Sequence, residues 1–489
     1  MHISLTSFFC CFVFLSTSPG VVITSGFKGH DRVKQENWRS TPDLITELPG
    51  LTNLPEFNMY SGYLDASDTK KLHYWLNECV DSSSNKLMIW FNGGPGCSSL
   101  DGAFIENGPY KFNEKTGNLE RNPYSWNQLA HTLYIESPAG VGFSYDIDPL
   151  SRYNDNITAE TNIRALESFF IKFPTFATMN IYLSGQSYAG VYVPTLAAAI
   201  VQQQSWMAAN LKGILIGNGL MHFLYNHASI MYFSYYHGLF DKTEWEELKR
   251  VCCETATVEC MFTRFTETDC LMQLTWALHA VWNDGLNIYN LYAPCMSEPQ
   301  AEMFKVKSRP LLEDVARSRF DSVLEMTKPR SMGPLSLVPP CSNASMITKY
   351  FNRADVQEAI HVRPTSWQLC SDVVHNNYYK QVEDTGPQIK MILDALEDIE
   401  ILLFFGDVDL ACNYLGGEWF VDRLGLELQT PRRKWTTRDE YGQVQVAGFY
   451  KVYDRLTYAT VLGAGHMVPH DKPREAYAMF ERYLNDEPL

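Results

Sequence analysis

Residues 183–190 read LSGQSYAG and overlap the end of the apolar run 181–183, which is typical of a buried strand. The following segment, 191–201, is apolar and rich in alanine, which predicts a buried helix. The Gly-x-Ser-x-Ala pattern centred on Ser187 approximates the sharp strand-to-helix turn that exposes a nucleophilic serine. Small residues are needed there because the turn is tight. The pattern also fits an ordinary turn, so the choice depends on whether an acid and a base follow.

Two further strand ends supply candidates for the acid and the base. A serine in such a turn predicts the chain order nucleophile, acid, histidine. Asp407 directly follows the apolar run 401–405, and we expect it to orient the histidine, with Asp409 as the alternative. His466 lies on a glycine-rich loop after another apolar run, with His470 as the alternative. Because the carboxyl ends of parallel strands meet at one rim of a sheet, a Ser–His–Asp site is predicted there.

The apolar runs alternate with helical patterns, which predicts a mostly parallel central sheet covered by helices on both faces. This rhythm stops between residues 218 and 341, where a cysteine cluster and a proline-rich stretch occur. We therefore expect an α/β-hydrolase fold with core segments 27–217 and 342–489 and a largely helical inserted cap, 218–341. The predicted strands are 87–91, 133–135, 181–183, 214–216, 401–405 and 460–462.

The N-terminal segment and the net charge of the chain indicate its cellular route and the kinds of partner that are excluded. Residues 3–15 are mostly apolar and small residues follow, so residues 1–26 are predicted to be a signal peptide cut between 18 and 26. No later segment has the apolar length to span a bilayer. The formal net charge of −16 argues against nucleic acid or an anionic membrane as a partner.

The cysteines indicate an oxidising compartment. Among the 12 cysteines, four lie close together in the predicted cap. Two of these, Cys252 and Cys253, are adjacent, which suits disulfides better than a zinc site. Glycosylation sequons at Asn156 and Asn343 also fit the secretory route. We expect no metal and no cofactor.

A second glycine-rich stretch, WFNGGPGCSS at 90–99, also follows a predicted strand. Its glycines would let a backbone N–H approach a reacting carbonyl as an oxyanion donor. Without the serine turn, a plain Gly/Pro turn would be the default interpretation.

At this point the sequence resembles the serine carboxypeptidases, from about Leu48 to the C-terminus. The motifs that carry the resemblance are WFNGGPGCSS at 90–99, ENGP at 106–109, ESPAGVGFSY at 136–145, SYAG at 187–190, GDVD at 406–409 and GAGHMVP at 463–469. The resemblance implies a triad of Ser187, Asp407 and His466, and oxyanion N–H groups from Gly94 and Tyr188. It also implies that the substrate's terminal carboxylate is held by Asn92, Glu106 and the residue before the nucleophile. That residue is usually Glu in the family, and here it is Gln186.

The resemblance also implies a disulfide framework and a processing event. The implied pairs are Cys97–Cys370, Cys252–Cys270, Cys253–Cys260 and Cys295–Cys341, with Cys412 and Cys79 unpaired. Family precursors are nicked in the cap. The comparable stretch here contains Lys328 and Arg330, but its sequence departs considerably from the family pattern.

The predicted function is a lysosomal or secreted serine carboxypeptidase that cleaves peptides with a free C-terminus through an acyl-enzyme on Ser187. Esterase or deamidase activity, a homodimer and protection of other lysosomal hydrolases are further expectations from the resemblance. Two alternatives remain open: an esterase or acyltransferase on the same scaffold, and a mainly non-catalytic stabilising partner. An active-site serine label and a comparison of a peptide acid with its ester would separate them.

Overall fold

The computed structural model describes residues 41–51, 55–113, 116–253, 260–262, 269–274, 277, 286–295 and 344–489. All of these belong to the second of two compact units, Arg39–Leu489. Several predictions fall outside the described residues. They are the signal peptide at 1–26, the sequon at Asn343, the cysteine Cys341 and the processing region around Lys328 and Arg330.

The described residues contain one large mixed sheet of eleven strands, in the order β1-β2-β6-β3-β9-β10-β12-β15-β14-β13, with β7 paired to β2. Two small sheets pair β4 with β5 and β8 with β11. The strands are β1 Met59–Asp65, β2 Lys70–Asn77, β3 Lys86–Phe91, β4 Tyr110–Phe112, β5 Leu119–Arg121, β6 His131–Ile135, β7 Tyr145–Asp146, β8 Tyr153–Asn154, β9 Asn180–Gln186, β10 Leu211–Gly217, β11 Tyr378–Tyr379, β12 Glu400–Gly406, β13 Leu428–Arg438, β14 Val444–Tyr453 and β15 Leu456–Val461.

The six predicted strands are confirmed as the centre of this sheet. They correspond to β6, β3, β9, β10, β12 and β15, and all of their mutual pairings are parallel. Their residues are almost all buried, because a parallel sheet covered on both faces leaves no solvent-facing side. The antiparallel flanks, β1–β2 on one side and β14–β13 on the other, were not predicted.

Helices flank the sheet where the sequence predicts the main ones. The helix predicted after the serine turn is confirmed as α2, Ala189–Gln202, and a longer helix, α1, spans Asp155–Lys172 before β9. Asn154 caps α1, since its side chain accepts a 2.8 Å hydrogen bond from the Ile157 amide. The helices are α1 Asp155–Lys172, α2 Ala189–Gln202, α3 Phe223–Tyr236, α4 Lys242–Cys252, α5 Ser345–Phe351, α6 Ala354–Ala359, α7 Asp372–Asn376, α8 Gly386–Ala395, α9 Tyr414–Asp422, α10 Val468–Asp471 and α11 Pro473–Leu484. None of the helices in the described part of the chain is long and apolar enough to cross a membrane.

The described part of the predicted cap begins with two helices, α3 and α4, directly after β10. Their apolar side chains form a cluster separate from the main core, in which the rings of Tyr232 and Trp245 are in edge-to-face contact. The cluster also contains Leu410 and Trp419 from the second core segment. The disulfides Cys252–Cys270 and Cys253–Cys260 are both present. The boundaries 218–341 stay a prediction.

Removing these two disulfides should impair secretion or heat resistance without changing the chemistry of molecules that fold. Each closes a short loop, and a disulfide of this kind contributes about 2–4 kcal/mol to stability. The change is Cys252→Ser with Cys253→Ser, and the measurements are secreted yield and the midpoint of thermal unfolding.

Titration of free thiols in the unfolded, unreduced mature protein is the companion measurement. Cys79 and Cys412 are both free and buried, so two thiols are expected. Six or more would contradict the disulfide framework.

Candidate active site

Ser187 lies on a strained turn between β9 and α2. Its φ of 62° is in the left-handed region that non-glycine residues rarely adopt, and such positions cluster at functional sites. The Ser187 amide donates to the carbonyl oxygens of Gly217 (3.1 Å) and Asn218 (3.2 Å), and its own carbonyl accepts from the Gly190 amide at 2.9 Å. These bonds hold the turn, so the hydroxyl sits at the carboxyl end of the sheet, as the sequence predicts.

Close backbone approach explains the glycines around this turn. A Cβ on Gly185 would lie 2.2 Å from the carbonyl oxygen of Phe91, and one on Gly93 would lie 2.3 Å from the backbone nitrogen of Tyr188. Both distances are far below van der Waals contact. The glycine-rich loop after β3 is therefore packed directly against the backbone of the serine turn, where an oxyanion site would have to be built.

His466 is hydrogen-bonded to Asp409, not to Asp407. The Nδ1 atom of His466 lies 2.7 Å from Oδ2 of Asp409, and both side chains are buried. Because an ionised carboxylate can only accept, Nδ1 carries the proton and Nε2 is left for another partner. The prediction that Asp407 orients the histidine is therefore wrong, and the alternative, Asp409, takes that place.

Four groups hold the Asp409 carboxylate. It accepts from the backbone amides of Ala411 (3.0 Å) and Cys412 (3.2 Å), from the side-chain amide of Asn218 (2.8 Å), and from His466. Asn218 is fully buried and its Oδ1 accepts from the Gly406 amide, which fixes its orientation. The sequence motifs assign no role to Asn218, which stands where the predicted cap begins. Its position directly after the central strand β10 is the feature that indicates a place at the rim of the sheet.

Asp407 has a structural contact instead. Its Oδ1 accepts a 2.6 Å hydrogen bond from the Gly463 amide at the start of the loop that carries His466. Burial raises the pKa of the Asp407 carboxyl, and this backbone bond opposes the rise. The side chain therefore ties the ends of β12 and β15 together. The alternative base, His470, is exposed, and its Nδ1 lies 3.2 Å from the Ile105 carbonyl.

A free thiol lies beside the nucleophile. Cys412 is buried, and its thiol interacts with the Ser187 side chain. Burial raises the pKa of the Cys412 thiol well above its usual range, and the nearby Asp409 charge raises it further. The thiol therefore stays neutral and does not compete with Ser187 as a nucleophile.

The glycine-rich loop is fixed from outside by a disulfide and by buried hydrogen bonds to Glu136. Cys97 is bonded to Cys370, and the Ser371 amide donates to the Gly96 carbonyl at 2.8 Å. Ser98 donates from its hydroxyl to the buried carboxylate of Glu136, which also faces Nδ1 of His73 at 2.9 Å. The loop next to the serine turn is thus rigid, which suits a preorganised oxyanion site.

Two of the residues implied for carboxylate binding, Asn92 and Gln186, lie at adjoining strand ends, and Glu106 ends the helical turn 102–106. In the parallel pairing of β3 with β9, Phe91 lies opposite Gly185, so Asn92 and Gln186 are the next residues on the two strands. Both are buried, with 3% and 5% of their surfaces exposed. The Nδ2 atom of Asn92 lies 3.4 Å from Oε1 of Glu106, which is 1% exposed. The Asn92 amide and the Glu106 carboxyl therefore meet in a buried position, and Gln186 lies on the adjoining strand directly before the nucleophile.

The disulfides and the sequon can also be located. The three pairs Cys97–Cys370, Cys252–Cys270 and Cys253–Cys260 are as the resemblance implies, and Cys295 is disulfide-bonded. Asn156 is exposed, at the second residue of α1.

Comparisons with known proteins show which family the chain belongs to. The family model for serine carboxypeptidases (Peptidase S10) matches residues 49–486. The lysosomal protective protein of Mus musculus is 42% identical over 460 residues, covering 91% of this chain and 94% of that protein. Serine carboxypeptidase ctsa-4.1 of Caenorhabditis elegans is 35% identical over 455 residues, covering 91% and 93%. Kex1(delta)p, a prohormone-processing carboxypeptidase from Saccharomyces cerevisiae, superimposes with a TM-score of 0.68 and 26% identity, covering 90% and 94%.

The fold and the comparisons together define a hydrolase of the α/β-hydrolase fold. Within that class, the chain belongs to the serine carboxypeptidase family, and the resemblance of its motifs to that family is confirmed.

Proposed function

We propose that this protein releases C-terminal residues from peptides through an acyl-enzyme on Ser187, with His466 as the base and Asp409 as the orienting acid. The observation that carries the proposal is the 2.7 Å contact between His466 Nδ1 and the Asp409 carboxylate, at the same sheet rim as the strained Ser187 turn. Asp409 fixes the imidazole tautomer, which leaves Nε2 to accept the Ser187 proton.

Each half of the reaction moves one proton through His466. The Ser187 oxygen attacks the scissile carbonyl carbon, and the developing oxyanion accepts from the backbone N–H groups of Gly94 and Tyr188. The C–N bond then breaks, and His466 returns the proton to the leaving amine. Water attacks the acyl-enzyme in the same way, which releases the shortened peptide acid and restores the serine.

Recognition of the C-terminus is assigned to Asn92, Glu106 and Gln186. The substrate's terminal carboxylate is an acceptor, so it needs donors. The Gln186 side-chain amide can donate at every pH, while the Asn92 amide donates to Glu106 and holds its carboxyl in place. The carboxyl of Glu106 donates only while it is protonated. Burial raises the pKa of Glu106 well above its usual range, which favours the protonated form that can donate.

Replacing Gln186 with Glu should make binding of peptide acids more sensitive to pH. The amide donor would become a carboxyl that donates only when protonated, and a bond to a charged group is worth about 1.5–3 kcal/mol. KM for a blocked dipeptide acid and for its carboxyl-blocked analogue should be measured from about pH 4.5 to 7.5, which spans the Glu and His reference values. An equally steep rise of KM for the acid in both proteins would show that Gln186 is not a pH-independent donor.

The cellular setting is proposed from the resemblance and the lysosomal relative. We infer a secretory route to the lysosome or to the outside, with N-glycosylation at Asn156, which is exposed, and at Asn343. A homodimer, a protective role towards other lysosomal hydrolases, and proteolytic processing of the cap belong to the same proposal. Esterase and deamidase activity would follow from the same machinery.

Two measurements separate the proposal from its alternatives. A fluorophosphonate probe should label Ser187 in the parent and not in Ser187→Ala, whereas a non-catalytic stabilising partner would stay unlabelled. If Ser187 is labelled but KM values for a peptide acid and its ester match throughout the pH range, the esterase alternative replaces the peptidase.

A further inference from the structure

The side-chain amide of Asn92 has a fixed orientation. Its Oδ1 accepts from the indole N–H of Trp90 at 2.6 Å and from the Gly102 amide at 3.2 Å. Two donors on one oxygen leave no ambiguity about which end is the amide nitrogen. Both hydrogens of Nδ2 therefore point to the opposite side, into the carboxylate-binding region.

Those two hydrogens meet two carboxyl groups. Nδ2 of Asn92 lies 3.3 Å from Oδ2 of Asp101 and 3.4 Å from Oε1 of Glu106. Asp101 immediately precedes the π-helical turn Gly102–Glu106, and Glu106 ends it. The turn therefore places both acids around one nitrogen atom, and neither the sequence pattern nor the resemblance assigned a role to Asp101.

The second oxygen of Glu106 is unused. Among the residues that the structure describes, Oε2 of Glu106 has no hydrogen-bond partner although it is buried. Burying a charged carboxylate oxygen that receives no hydrogen bond is energetically unfavourable. A protonated carboxyl instead has an O–H group that is available to donate to an incoming acceptor. The terminal carboxylate of a peptide is such an acceptor.

The electrostatic surroundings favour a proton on this pair. Burial raises the pKa of Asp101 to about 7, with the nearby His466 acting in the opposite direction. Burial raises the pKa of Glu106, the Asp101 charge raises it further, and the Asn92 bond and Lys111 oppose the rise. The ionisable groups that face the pair are Lys111 on β4, His466 on the loop after β15, Asp471 on α10 and Tyr134 on β6.

We propose that Asp101 is a positioning residue that forms a proton-sharing carboxyl pair with Glu106, so that Glu106 donates to the substrate's terminal carboxylate although position 186 carries no acid. Two close carboxyls do not both ionise readily, and one of them keeps its proton. This inference rests on the proposed function, because it explains how the same site holds the peptide's C-terminus.

The test uses the ratio of KM for a carboxyl-blocked dipeptide to KM for the free acid, measured against pH. This ratio reports carboxylate recognition alone, because both substrates use the same base and nucleophile. In Asp101→Asn, Glu106 loses a like charge and ionises at lower pH. The ratio should therefore begin to fall at lower pH than in the parent, with a loss of about tenfold where the two curves differ most.

Two further variants show whether Asp101 acts through Glu106. Glu106→Gln carries a permanent donor, so its ratio should stay nearly constant with pH, and adding Asp101→Asn to it should change little. Asp398→Asn is the matched control, since Asp398 is exposed on the surface beside Lys212. Fluorophosphonate labelling of Ser187 counts the folded sites in every variant.

Failure of the proposed function and failure of the role of Asp101 would give different results. A ratio near one at every pH in the labelled parent would refute carboxylate recognition itself. A clear ratio in the parent with the same pH dependence in Asp101→Asn would refute the role of Asp101. If Asp101→Asn does not fold, the Glu106→Gln variant decides: an unchanged fall of its ratio with pH would overturn the inference.

Discussion

Replacing Ser187 with alanine is expected to lower kcat for a blocked dipeptide acid by about 10⁴-fold or more, with folding and export intact. The change removes the hydroxyl that attacks the carbonyl and very little packing. Alanine keeps a Cβ at the left-handed φ of 62°, so the strain of the turn is the same in both proteins. Secreted yield and the thermal unfolding midpoint should match those of the parent.

Ser184 provides a matched control three residues earlier on β9. It is a fully buried serine, and its Oγ has no hydrogen-bond partner among the described residues. Ser184→Ala should therefore keep both turnover and labelling by a fluorophosphonate. Near-native turnover in Ser187→Ala would rule out the serine turn as the catalytic element.

Replacing Asp409 with asparagine is expected to lower kcat by about 10⁴-fold. An amide at this position can donate to Nδ1 of His466, which would move the ring proton to Nε2, where it could no longer accept from Ser187. Its bonds from Ala411, Cys412 and Asn218 all need an acceptor, so the amide nitrogen would also disturb the turn.

Asp407→Asn is the comparison that separates the two acids. Asp407 receives one backbone bond, from Gly463, and an asparagine oxygen can accept it as well. We expect a decrease in kcat far smaller than for Asp409→Asn, together with some loss of thermal stability. The measurement is kcat at the pH optimum for both variants in parallel. The reverse order of effects would restore Asp407 as the orienting acid.

The sequence predicts that Asp407 and Asp409 both lie at the rim of the sheet, but it does not determine which of them contacts His466. A polar residue directly after a buried parallel strand is reliably placed at the rim of the sheet, and both acids satisfy that rule. The chain leaves β12 at Gly406, so the regular alternation of side chains stops there. Which of two residues in the following turn faces His466 depends on the turn's hydrogen bonds, and no periodicity encodes them.

The elements that could be predicted share strong local signals. Six apolar runs became the parallel centre of the sheet because burial on both faces demands continuous apolar sequence. The antiparallel flanks carry weaker patterns. Strand β13 is mostly exposed and rich in charged residues, and a sequence of this kind is more typical of a surface loop than of a strand. Asp101 was missed for a different reason, since its importance depends on the π-helical turn that places it beside Glu106.

The Cys97–Cys370 bridge has a consequence for the covalent integrity of the molecule. Its two cysteines are 273 residues apart and lie on either side of the predicted cap. A single cut within the segment 218–341 would divide the polypeptide, but the two fragments would stay joined, because the bridge and the β10–β12 pairing both connect the parts before and after the cut. Ser187 would then belong to one fragment, with Asp409 and His466 on the other. A nicked form would thus be a two-chain enzyme whose fragments separate on a denaturing gel only after reduction.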